Sequence, residues 1–110
     1  MWPEGEEPTR YEWDVGSMIV PPNMWYHQHF NTGTTPARYL AFKYEGVAIR
    51  NAQGVPKAWI SQRIGGDQID YADESQEVRT MFADALAKNG IAANMQSAYD
   101  AELPDLPPKR

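Results

Sequence analysis

Between Ser17 and Tyr44 the chain carries three short runs of strand-forming residues, each cut off by proline or a turn. That pattern limits how much sheet one copy can build. Ser17-Met18-Ile19-Val20 is stopped by Pro21-Pro22, neither of which can donate to a ladder. Trp25–Phe30 is rich in aromatic residues, which favour strands. A turn cluster, Asn31 to Pro36, leads into Arg38–Tyr44, where Leu40 and Phe42 share one face and Lys43 falls on the other. The second and third runs predict an antiparallel hairpin. Ala58-Trp59-Ile60 reads as a short strand or a docking anchor, and Gln68–Tyr71 as another short extended piece. These runs predict a mainly β fold, but too few strands for a self-contained sandwich.

A helix follows. Val78, Met81, Phe82, Ala85 and Leu86 recur at helical spacing and form one apolar stripe. Asp73 is the expected N-cap, with Gln76 closing a capping box, and Asn89-Gly90 the expected stop. A weaker helix is expected from Ala92 to about Leu103, with Met95 and Tyr99 on one side. The expected organisation is a flexible arm over 1–10, a β region over 11–72, a helical region over 73–103 and a disordered tail over 104–110.

Composition excludes several functions. At 110 residues the chain suits one domain with a modest core, and its net charge of −5 disfavours binding to a phosphate backbone. No apolar run is long enough to span a membrane. The N-terminus lacks the profile of a signal peptide, and there is no cysteine for disulfide or thiolate chemistry. The expected compartment is the cytoplasm. Four tryptophans and six tyrosines are many for this length and suit either a core or a self-association surface.

Both histidines sit in one stretch, GSMIVPPNMWYHQHFN, spaced as G-x5-P-x-M-x2-H-x3-N through Gly16, Pro22, Met24, His27 and Asn31. This spacing resembles the second conserved motif of the cupin superfamily, which has glycine where this chain has Met24. The following RYLAFK is similar to the strand after that motif. Residues 64–90 more loosely resemble the C-terminal extension of a bacterial cupin group with gentisate-dioxygenase-like relatives. The resemblance implies a jelly roll whose motif histidine, here His27, faces a barrel interior and helps hold a metal. The first cupin motif, which supplies two His and one Glu, does not fit: it would need glycine at Pro21 and glutamate at Gly33 or Thr34. The implied fold is therefore a mainly β, partial cupin-like jelly roll, a half barrel with a C-terminal helix, completed by oligomerisation.

Three functional readings follow. In the first, a homodimer or higher oligomer encloses a non-catalytic cavity for a small organic ligand, lined by Trp25, His27, His29, Tyr39 and Phe42, with no cofactor. In the second, His27 and His29 are metal ligands for iron, manganese or zinc in an oxygenase-type enzyme, completed by another chain or a missing N-terminal segment, with a carboxylate such as Asp70 or Glu45. In the third, the chain is a structural or interaction protein whose histidines are packed residues. Nucleic-acid and membrane partners are not expected.

Overall fold

A computed structural model describes residues 1–42 and 49–103. Lys43, Tyr44, Glu45, Gly46 and the tail 104–110 lie outside the described residues.

The expected jelly roll is absent. Among the described residues there is no β-strand, only three isolated bridges: Trp2 with Tyr26, Arg50 with Pro56, and Ser61 with Gln68. The cupin-type half barrel and hairpin are therefore corrected to a loop-rich chain with one substantial helix. The physical reason lies in the main chain. No residue from 27 to 42 exchanges a backbone–backbone hydrogen bond with another described residue. The turn cluster is held instead by one side chain: Asn31 accepts from the Gly33 N–H at 3.0 Å and donates to the Thr35 carbonyl at 2.9 Å. That local bonding closes a loop and draws no partner strand alongside. A lone two-stranded pairing is marginal in water, so β-prone runs without a third strand gain little by pairing.

The N-terminal arm is tied down. Trp2 and Tyr26 exchange reciprocal backbone bonds of 3.1 and 2.9 Å, and their rings lie 5.8 Å apart. Residues 57–73 form a wound loop of three short 3-10 turns, Lys57–Trp59, Gln62–Ile64 and Tyr71–Asp73. Thus Ala58-Trp59 is a helical turn and not a strand, and Gln68 has only one bridge. Arg63 clamps this loop by a bidentate pair to Asp73, with Nε to Oδ2 at 2.6 Å.

Helix α1 spans Gln76–Lys88, and the stripe lies where the spacing put it. Val78, Ala85 and Leu86 are the buried hydrophobic residues of the described chain. Ser75, not Asp73, caps α1 by accepting from the Val78 N–H at 3.3 Å. Asp73 is already committed to Arg63. At the other end Ile91 N–H reaches the Leu86 carbonyl and Gly90 N–H the Ala87 carbonyl, both at 3.0 Å, with Gly90 at φ +69°. This is the six-to-one, five-to-two closure that needs a left-handed residue. The weaker helix shrinks to one turn, α2, Gln96–Tyr99, which packs on the Tyr71–Asp73 turn.

Contacts join α1 to the N-terminal half at several points, and near its start the Glu77 side chain lies against that of Glu7. Phe30 meets Phe82 with ring centroids 4.7 Å apart, and Asn89 donates to the Thr32 carbonyl at 2.6 Å. Little else is covered. The accessible surface is 9164 Å², against roughly 6,200 Å² expected of a folded monomer of this mass. No helix among the described residues is long and apolar enough to cross a membrane.

Candidate functional site: an aromatic–imidazole cluster

Two turns bring the cluster together. In the first, Ser17 N–H donates to the Asp14 carbonyl at 2.9 Å and Gly16 takes φ +85°, a conformation glycine adopts without steric cost. This positions Trp13. In the second, Trp25 N–H donates to the Pro22 carbonyl at 3.2 Å and Met24 sits at φ +65°. That turn launches the segment carrying both histidines.

Side chains from 26 to 30 then leave alternately, although no strand forms. Tyr26 goes to Trp2 and Phe30 to Phe82, whereas His27 and His29 stay side by side, 5.8 Å apart and nearly perpendicular. His29 stacks on Tyr39 at 4.8 Å and 25°. Trp13 stands edge-on to both, 6.5 Å from His29 and 6.2 Å from Tyr39. Such separations are those of favourable aromatic pairs. Beside them lies a shallow depression of about 240 Å³ lined by Glu12, Trp13, Asp14 and Ser17.

The site therefore unites three of the five residues expected to line a cavity, His27, His29 and Tyr39. It leaves out two. Trp25 meets the cluster only through its carbonyl, 3.5 Å from His27 Nδ1, and Phe42 is 91% exposed. Trp13 was not among the expected residues. Its one sequence signal is an indole between two acids, Glu12 and Asp14, which must find apolar contact elsewhere.

Burial holds His29 below the ordinary imidazole value of 6.5, and the neighbouring His27 adds to the effect. This favours the neutral imidazole, which can accept as well as donate a hydrogen bond. Among the described residues, no group of three or more histidine, aspartate or glutamate side chains is placed to hold a metal. Asp70 is occupied elsewhere, accepting from the Ser61 hydroxyl. Chemically, the cluster offers stacked π faces and one neutral imidazole. Comparison with known proteins finds no matching family model, no matching curated protein and no matching solved structure.

Proposed function

We propose that this chain is an interaction module that buries its N-terminal half against a second copy of itself. The observation that carries this reading is the apolar surface between Val15 and Phe42. Val15, Met18, Val20, Met24, Leu40 and Phe42 all stand in solvent, Met18 at 90% of its full exposure. A soluble monomer rarely leaves this many large apolar side chains exposed along one stretch of chain. The same stretch from 27 to 42 lacks backbone pairing, so a partner chain could satisfy main chain and side chains together.

A second copy would bring the same six side chains to the interface from both sides. Covering four of the exposed side chains would contribute about 6–12 kcal/mol. That is comparable with the roughly 4–15 kcal/mol lost when two bodies associate.

Sedimentation equilibrium tests the reading. The expected result is a dimer or higher oligomer at micromolar concentration, dissociated by the double substitution Leu40→Glu and Phe42→Glu. A monomer throughout the concentration range, or an unchanged mass in the double variant, would exclude it.

The ring cluster favours a second reading, in which the module also takes a small planar organic ligand against His29 and Tyr39. Fluorescence of Trp13, edge-on to both rings, is the readout. A saturable change lost in Tyr39→Ala would support it, and no response to any of a panel of planar ligands would remove it.

A further inference from the structure

Remote from the aromatic cluster, α1 and the segment leading into α2 enclose a cleft of about 330 Å³. Its lining includes Gln76, Arg79, Thr80, Ala83, Met95 and Tyr99. The volume lies at the lower end of small-molecule sites. One wall is apolar, from Ala83 and Met95. The other carries a cation.

Arg79 is fixed in place. Its Nη2 donates to the carbonyls of Tyr71 at 3.1 Å and Ala72 at 2.9 Å. Its guanidinium carbon lies 4.1 Å from the centre of the Tyr99 ring. These contacts orient the group but do not neutralise it. The ion pairs among the described residues are Arg10–Glu12, Lys57–Asp67 and Arg63–Asp73, and none involves Arg79. A guanidinium has five N–H donors, of which the two carbonyls use two. The Nε donor is buried without any hydrogen-bond partner. With Nη2 pinned and Nε sealed, Nη1 is the edge left to meet a ligand.

Contacts of this kind select chemistry. Carbonyl oxygens and a π face satisfy a cation only in part, and a carboxylate is the stronger partner. Glu74 stands near enough to Tyr99 to help raise its phenol, after burial, while Arg79 lowers it. The helix N-terminus is not needed, because the charge sits on a side chain one turn further along α1.

We propose that this cleft binds a small organic monocarboxylate, its carboxylate on Arg79 and its apolar body against Ala83 and Met95. The inference is independent of self-association, since it uses no residue of the exposed N-terminal stretch.

The experiment is an NMR titration of the ¹⁵N-labelled full chain with benzoate, with benzamide and inorganic phosphate as parallel arms. Benzoate should give saturable shifts at the Arg79 Nε–H and the backbone amides of Gln76, Thr80, Ala83 and Met95, with one shared dissociation constant. Benzamide, which lacks the charge, should bind at least about tenfold more weakly, and so should phosphate, which lacks the apolar body. Arg79→Lys should weaken benzoate by a similar factor, because a flexible ammonium does not keep the orientation that the two carbonyls and the Tyr99 ring give the guanidinium. Arg79 also holds two carbonyls, so Ala83→Leu provides the variant that keeps those bonds. It fills the cleft and should abolish binding while the remaining spectrum is unchanged. Absence of saturable shifts, equal binding of benzamide or phosphate, or an unaltered constant in Ala83→Leu would each overturn the proposal.

Discussion

His29 and Tyr39 stack with ring centroids 4.8 Å apart, joining two segments that share no backbone hydrogen bond. Side chains alone hold this pairing, so it is sensitive to the charge of the imidazole. Burial first, and His27 second, lower the His29 value below 6.5. The unfolded chain therefore takes up a proton first as pH falls. The stability contributed by neutral His29 is complete above about pH 6.5 and declines as pH drops through the folded value. Imidazole resonances followed by NMR should show His29 titrating below 6.5. Replacing His27 with asparagine should move that midpoint upward without restoring it fully, since burial persists. A midpoint at or above 6.5 in the unsubstituted chain would contradict this account.

The clamp between Arg63 and Asp73 should matter more than an ordinary surface pair. Both side chains are mostly covered, at 21% and 15% exposure, and the contact is bidentate. Replacing Asp73 with asparagine should cost about 1–3 kcal/mol in urea unfolding. Arg63→Ala, Asp73→Ala and the double variant should show coupling of at least about 0.5 kcal/mol. Strict additivity would mean that the Arg63–Asp73 pair does not hold the 62–73 loop.

How far the sequence specified these features follows from the range of each interaction. Helix α1 and its Gly90 closure were legible because stripe and stop are local. Its cap was misassigned because Asp73 is diverted by Arg63, ten positions away, which no capping rule registers. The Asn31–Pro36 turn was legible in the same local sense. The strands were not. Met18, Leu40 and Phe42 have the composition of a sheet, but a ladder requires a partner at long range, and the described chain supplies none to residues 27–42. His27 and His29 nevertheless fall together, away from Tyr26 and Phe30, because side-chain alternation depends only on backbone geometry between neighbours. Trp13 was missed because its contacts, His29 and Tyr39, lie 16 and 26 residues away.

With a core this small, one truncation should be costly. Leu86 is 6% exposed on the covered face of α1. Leu86→Ala should lose about 2–5 kcal/mol, seen as a fall in helical circular dichroism and thermal midpoint. Val20→Ala, on the open surface, should change dilute-solution stability by less than about 0.5 kcal/mol. If Val20→Ala proved as damaging as Leu86→Ala under those conditions, the division into covered helix and open N-terminal half would be wrong.

Met24 occupies the third position of the turn closed by Pro22 and Trp25, with φ +65°. Turns that take positive φ at that position favour glycine, whereas a side chain there crowds the backbone at a cost of about 1–2 kcal/mol. The Met24 side chain is mostly in solvent, so little packing offsets that strain in one copy. Met24→Gly relieves the crowding but makes the unfolded chain more flexible, which reclaims roughly 0.5–1 kcal/mol. The expected net effect is a gain of up to about 1 kcal/mol in dilute denaturant titrations. Met24→Ala keeps the Cβ and should give no gain, which isolates the backbone as the cause. If alanine stabilised as much as glycine, the methionine side chain and not the turn would be responsible. If glycine instead weakened association at high concentration, Met24 would belong to the buried face of the dimer, adding its apolar surface to that of Met18, Leu40 and Phe42.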